Sequence, residues 1–322
     1  MSNQSHHNSS QHHENSSQHH GGPSQHSNPP HHESPRNPTT QLSPEPTQQE
    51  LSDVRIAIQK LWDLDSNRLK PGVDYAINLP MPHGRNENVK VPLFKYVTDR
   101  AGKIPTFKCF YALLDNYIPQ TGIAEKLDTA ELKENEQFLK AALATAPMIY
   151  YLKSKGTFRG SISDFEAELN KIWFNFYRRE GVKDSSAFEH VFLGEVRDGE
   201  AKAFHNWITF YFNEKAGKID YESFIPMKEG NNRLVTPDGT EQIITLRFSF
   251  EGARKPFSTS FIGTSPEFEF GLYTLLYLLE RDDTKVTLDG INLNIKIYPF
   301  HERGGHGVRL LGSAFPMIIG PH

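Results

Sequence analysis

The sequence predicts an α+β fold, with a helical N-terminal lobe packed on a lobe built around a mixed or antiparallel β-sheet. Three observations carry that reading. Between residues 51 and 180, apolar residues recur at helical spacing. After residue 181 they give way to short alternating runs punctuated by Asp-Gly turns. The helices among those runs are inserted irregularly, unlike the regular alternation that builds a parallel sheet.

Residues 1–50 precede the fold. They hold nine of the fifteen histidines, mostly as the pairs His6-His7, His12-His13, His19-His20 and His31-His32, among Ser, Gln, Asn and Pro. So little apolar surface cannot offset the entropy of ordering. A disordered tail is expected, with metal binding by the paired imidazoles as the alternative.

The helical lobe spans residues 51–180. Leu51, Val54, Ile58 and Leu61 predict a helix over residues 51–65, and Lys70-Pro71-Gly72 ends that element. A polar connection through Met81-Pro82-His83-Gly84 leads to a helix near residues 106–117. Asp128 with Glu131 forms a capping box for the next helix, which Pro147 interrupts. Ser163 with Glu166 caps a helix over residues 164–178, whose Phe165, Leu169, Ile172 and Phe176 form a core-facing stripe.

The β-rich lobe spans residues 181–322. Residues 233–236 and 242–250 flank Pro237-Asp238-Gly239, and residues 286–288 and 292–298 flank Asp289-Gly290, so two hairpins are predicted. Between them Ser265-Pro266-Glu267 has a cap, a proline at the first helical position and an acid in the first turn. Leu272, Leu275, Leu276 and Leu279 would be that helix's buried face. No internal repeat is evident.

Residues 188–207, FEHVFLGEVRDGEAKAFHNW, bring two histidines and two glutamates together. Residues 188–196 read as a strand, with Val191 and Leu193 on one face and His190 and Phe192 on the other. Asp198-Gly199 makes a turn. From Phe204 the spacing of Trp207, Ile208, Tyr211 and Phe212 is helical, which puts His205 in a first turn. There the helix dipole would favour the neutral, proton-accepting imidazole.

Charge and cysteine usage narrow the function classes. The chain carries 35 Lys plus Arg against 39 Asp plus Glu, with most of the acidic excess in the tail. Without a global basic field, any contact with nucleic acid is confined to a cleft. A single cysteine, Cys109, allows no intramolecular disulfide, as in a reducing compartment. With no apolar leader and no apolar run of membrane-spanning length, the expectation is a soluble cytoplasmic or nuclear monomer with no membrane partner.

The runs EHVFLGE, FHNWITFYFNEK, RKPFSTSFIGTSPEFEFGLYTL and LLGSAFP, preceded by LWDLDSNRLKPGVDY, resemble the EndoU family of uridylate-specific endoribonucleases. The resemblance covers roughly residues 55–318. It implies an EndoU-like fold and activity, with His190, His205 and Lys255 catalytic and with Glu189 and Glu195 supporting them. Ser313 and Phe315 would recognise uracil in single-stranded or loop RNA containing uridines. It also implies dependence on manganese, Mn2+, with no site assignable. Two departures stand out. Ala203 stands where the family commonly has glycine, and Phe315 where it commonly has tyrosine.

The residues themselves suit that chemistry. Cleaving RNA by its own 2′-hydroxyl requires a base, an acid and a positive charge near the phosphorus oxygens. Histidine, with an ordinary pKa of about 6.5, can take either proton role, and Lys255 can supply the charge. The expected roles are His205 as base and His190 as acid. A regular strand would put Glu189 and Glu195 on the face away from His190, so they either position the strand or ligate manganese. Other readings are a metallohydrolase in which His190, His205, Glu189 and Glu195 activate a water, and a non-catalytic RNA-binding module. The metallohydrolase ranks lower because no HExxH-like ligand spacing is present. His301, Arg303, His306 and Arg309 form a locally positive stretch, read either as a phosphate contact or as a solvated loop.

Overall fold

A computed structural model describes residues 45–79, 91–154, 161–229, 233–235, 237–302 and 309–320. The histidine pairs of the tail, the Met81-to-Gly84 connection, Arg303 and His306 lie outside the described residues. Leu42–His322 forms one compact unit.

The first part is mainly helical. The expected first helix is split at Asp53, where α1 (Gln48–Ser52) ends and α2 (Val54–Leu64) begins, and the Asp53 carboxylate accepts from the Arg55 amide. β1 (Tyr75–Ile77) and β2 (Phe94–Val97) form an antiparallel ribbon. α3 (Arg100–Lys103), α4 (Pro105–Ala112), α5 (Thr129–Leu143), α6 (Ala146–Ser154) and α7 (Ile162–Trp173) follow.

The Asp128–Glu131 capping box opens α5 as predicted. Pro147 sits in the first turn of α6, where its missing N–H costs no hydrogen bond. The cap of α7 is Ser161 with Asp164, not Ser163 with Glu166, and the helix stops at Trp173 rather than running to residue 178. Phe165 and Leu169 are buried as the stripe predicts, and Trp173 extends it.

β3 (Tyr177–Arg178) and β4 (Lys183–Ser185) pair ahead of a π-helical turn, Glu189–Leu193. Then come β5 (Glu195–Arg197), β6 (Glu200–Lys202), α8 (Trp207–Lys215), β7 (Ile219–Ile225), β8 (Lys228–Glu229), β9 (Arg233–Leu234), β10 (Ile243–Phe250) and β11 (Ala253–Phe261). The chain continues through α9 (Pro266–Leu278), β12 (Asp283–Leu288), β13 (Ile291–Phe300) and β14 (Leu310–Ile318). Five strands form a sheet in the order β5-β6-β11-β10-β7, antiparallel except for a parallel bridge between β6 and β11. β12-β13-β14 form a second, antiparallel sheet.

The Asp289-Gly290 hairpin forms, with Leu288 opposite Ile291. The hairpin predicted across Pro237-Asp238-Gly239 does not. β9 pairs with β8, while β10 pairs with β7 and β11. The eight-residue β10 pairs with strands of similar length, and the two-residue β9 offers too short a ladder to compete.

α9 is the central element. Every residue from Pro266 to Tyr277 is buried, so the helix has no solvent face, and Leu279 beyond its end is exposed rather than part of a buried stripe. It packs against α2, α4, α6, β13 and β14. Trp173 stacks on Phe270 of α9 at 4.8 Å and donates its indole N–H to Thr274 at 2.9 Å. Burying one such ring stabilises the fold by roughly 2–3 kcal/mol. The two sheets approach each other along β11 and β14, and a cleft opens there.

Candidate active site

His190 is carried on a helical turn, not on a strand. Ser186 starts the turn. Its hydroxyl accepts from the Glu189 amide at 3.2 Å, and the Glu189 carboxyl accepts from the Ser186 amide at 2.7 Å, which is a capping box. The turn closes with the Gly194 amide on the Glu189 carbonyl at 2.9 Å, a π-type bond spanning five residues. Gly194 has φ 81°, and a Cβ there would lie 2.3 Å from the Phe204 ring, so only glycine can reverse the chain at this point.

That reversal brings Glu195 back onto His190, with Oε2 2.8 Å from Nδ1. The strand reading had placed the two on opposite faces. An ionised carboxylate only accepts, so Nδ1 carries a hydrogen and Nε2 is the ring nitrogen this carboxylate does not engage. Burial alone would raise Glu195. The imidazole of His190, the guanidinium of Arg179 and the Ser185 hydroxyl, 2.5 Å from Oε1, outweigh it and hold the carboxyl below its ordinary value. Burial holds His190 below its ordinary value despite this carboxylate. Glu189 differs from Glu195. Burial and the neighbouring Glu125 push it up to about 8, so it is a neutral cap at neutral pH.

His205 lies just before α8, not within it, because Asn206 is the cap and accepts from the Ile208 and Thr209 amides. Its Nδ1 lies 2.9 Å from the Thr259 carbonyl and 3.0 Å from the Ser258 hydroxyl. The carbonyl can only accept, and Ser258 itself donates to the Phe204 carbonyl at 2.6 Å. Nδ1 therefore carries the hydrogen and Nε2 keeps a lone pair. The imidazole is held well below its ordinary pKa, first by burial and then by the ammonium of Lys255. The neutral form expected from a helix dipole is present for these other reasons.

Two left-handed residues, Ala203 (φ 49°) and Phe204 (φ 64°), deliver His205 to this place. Glycine adopts that conformation without the cost a Cβ imposes. Ala203 therefore occupies a position where glycine would be the relaxed choice.

Lys255 comes from a bulged stretch of β11. Leu246 pairs with Ser258 but Phe248 pairs with Lys255, so the extra residue falls at Pro256–Phe257. Proline has no N–H for the ladder and belongs at such a break, and a bulge re-aims neighbouring side chains. Burial, with Lys202 adding repulsion, lowers Lys255 to about 8.

His205, Lys255, Ser313 and Phe315 line one open cleft of about 540 Å³. Ser313 and Phe315 lie on β14, opposite Tyr298 and Lys296 of β13. Phe315 stacks on His205 with ring centroids 4.4 Å apart and planes 8° apart, and Tyr298 is stacked against Phe315 at 5.7 Å. The ring that the resemblance assigns to base recognition is thus packed against an imidazole. His190 and Glu195 are not among the residues lining the cleft, and His190 is 8% exposed. It is near enough that Lys255 depresses its pKa and that it in turn depresses His205.

Several residues of the site carry no signal in the sequence. Arg179 donates to the Tyr177 hydroxyl at 2.7 Å and to the Gly312 carbonyl at 2.8 Å, and its Nε lies 3.6 Å from Glu195. It links the Glu195 carboxylate, which holds His190, to β14. Ser185, Ser258 and Thr259 also act only through tertiary contacts. Ser186 with Glu189 was legible as a capping box, but the alternation of Val191 and Leu193 pointed to a strand. Arg309 is held by Asp282 at 2.7 Å and the Tyr277 carbonyl at 2.7 Å, at the end of α9.

The described residues contain no group of three or more His, Cys, Asp or Glu side chains that could hold a metal ion. Glu195 is engaged by His190 and Ser185 with a guanidinium nearby, and the Glu189 carboxyl caps the Ser186 amide. Among the described residues these side chains do not make a donor set that fits a resident metal, and the four-ligand metallohydrolase site is not assembled. No helix among them is long and apolar enough to cross a membrane.

The sequence profile described as Endoribonuclease XendoU matches residues 53–316. Uridylate-specific endoribonuclease B of Danio rerio is 37% identical over 281 residues, 83% of this chain and 96% of the relative. Poly(U)-specific endoribonuclease of Xenopus tropicalis is 38% identical over 275 residues, 81% and 91% of the two chains. The solved structure of XendoU, described as a splicing-independent snoRNA-processing endoribonuclease, superposes with a TM-score of 0.70 at 37% identity. That match covers 83% of this chain and 97% of the other.

Proposed function

Because this chain belongs to the XendoU endoribonuclease family, we propose that it cuts RNA on the 3′ side of uridylates by transesterification, leaving 2′,3′-cyclic phosphate ends. The observation that carries the reading is the arrangement around His205. Its Nδ1 hydrogen is committed to the Thr259 carbonyl, so a neutral imidazole with a free Nε2 lone pair stands in the cleft beside the Lys255 ammonium.

His205 Nε2 takes the proton of the uridylate 2′-hydroxyl. The 2′-oxygen attacks phosphorus and forms the new P–O bond. Lys255 neutralises the charge gathering on the non-bridging oxygens, where loss of one fixed donor typically costs on the order of 3 kcal/mol. His190, protonated at Nε2 and held at Nδ1 by Glu195, gives its proton to the departing 5′-oxygen as that P–O bond breaks. A bound phosphodiester adds negative charge beside His190, which raises its pKa towards the protonated form this step needs. Each positioned proton transfer contributes roughly 10²- to 10⁴-fold. Ser313 offers the uracil edge a hydroxyl, and Phe315 holds the plane of His205. No step is routed through manganese.

The test is an oligodeoxynucleotide with one ribouridine. Cleavage should give a cyclic phosphate and a 5′-hydroxyl end by mass spectrometry, and a 2′-O-methyl group at the uridine should abolish it. A 3′-phosphate formed without a cyclic intermediate overturns the mechanism. With an activated leaving group, His190→Ala should recover and His205→Ala should not; the opposite pattern reverses the roles.

A further inference from the structure

The cleft lining mixes two chemistries. Its polar side chains include His205, Lys255, Thr245, Thr259 and Ser313. Its apolar walls include Phe257, Met317 and the segment from Ile225 to Met227, which continues from beside Thr245. Phe257 is 64% exposed and Met317 38% exposed. A lone exposed phenylalanine needs no explanation. This one sits on the bulge that aims Lys255, two residues along the strand, so the two Cα atoms are roughly 7 Å apart. Among the described residues it stacks on no other ring. Cations and hydroxyls suffice for a phosphate and a uracil edge. An exposed aromatic face continuous with them suits a second, unstacked base.

We propose that Phe257 is a stacking platform for the base of the nucleotide adjacent to the cleaved uridylate, with Met317 closing the other side. The inference rests on the uridylate-endonuclease reading of the cleft. The side chains of Phe257 and Met317 offer no hydrogen-bond donor, so the platform accepts any base, as aromatic platforms for single strands do. It lets the enzyme hold RNA where the neighbouring base is unpaired and splayed.

Binding and cleavage are measured separately. The dissociation constant of a fluorescent, non-cleavable oligodeoxynucleotide with one deoxyuridine is compared with those of two versions that are abasic immediately 5′ or 3′ of it. The wild-type protein should bind one abasic version roughly 5- to 100-fold more weakly. Phe257→Ala should lose the same factor on the intact oligonucleotide and nothing further on that abasic one, whereas Phe257→Trp should bind like wild type. The inference is overturned if neither abasic version weakens binding, or if the two losses multiply as independent effects. Failure of the wild-type protein to cut the ribouridine version refutes the nuclease reading instead, and leaves the binding comparison to decide the platform on its own.

Discussion

The imidazole of His205 and the ring of Phe315 lie face to face, centroids 4.4 Å apart and planes 8° apart. Hydrogen bonds fix one edge of the imidazole and the phenyl face fixes its plane, so both determinants of where Nε2 points come from outside its own element. Phe315→Tyr, which keeps the ring, should retain activity within about threefold. Phe315→Ala should lower kcat/KM about tenfold, the usual worth of an aromatic pair. Steady-state cleavage of a ribouridine oligonucleotide checks both, and full activity in the alanine variant would deny the stack any role.

Glu195 fixes the hydrogen on His190 Nδ1, and in the proposed mechanism it stabilises the imidazolium that acts as acid. Glu195→Gln keeps the shape but removes the charge. It should lower kcat on the order of 10²-fold with little change in KM. An activated leaving group should restore most of the loss, because the departing oxygen then needs no proton. Equal losses on both substrates would mean that Glu195 serves some other step.

The ammonium of Lys255 helps to hold His205 below its ordinary pKa. Removing a positive neighbour favours the protonated imidazole, so Lys255→Gln should move the His205 pKa upward, towards about 6.5. NMR titration of the imidazole reads this directly, and the acid limb of kcat/KM should move to higher pH with it. Because Lys255 itself lies at about 8, the decline of wild-type kcat/KM that begins as free His190 loses its proton should steepen above that pH, and Lys255→Arg should remove only the steepening. An unmoved His205 titration in Lys255→Gln would show that burial alone sets it.

Ala203 holds φ at 49°. A left-handed residue with a Cβ costs roughly 1–2 kcal/mol, against roughly 0.5–1 kcal/mol of extra unfolded-state entropy for glycine. Ala203→Gly should therefore leave stability unchanged or raise it by up to about 1.5 kcal/mol, with activity retained. Urea unfolding would contradict this if the variant lost more than about 1 kcal/mol.

Local chemistry of this protein is legible in its letters where the cause is local. The Asp128–Glu131 box and the Ser265-Pro266 start are read from a few adjacent residues, and both form. The turn carrying His190 is a harder case. Its Ser186–Glu189 box is visible, but the chain there is buried on all sides, so the apolar pattern loses its period and a strand and a helix look alike. The hairpin at Pro237 fails because β10 finds longer partners in β7 and β11 than the two-residue β9 on the near side of the turn. Arg179 reaches Gly312 across 133 residues, and nothing near either residue announces the bond. The candidate site is thus legible as a set of residue types and illegible as a set of angles.

β14 supplies Phe315 to His205 and the Gly312 carbonyl to Arg179, and its residues are synthesised after every other part of the site. Among the elements of the site this strand is therefore the last to leave the ribosome, and until it does the imidazole is unpropped and the arginine unanchored. A chain lacking Leu310–Ile318 should cleave RNA far more slowly than the full one.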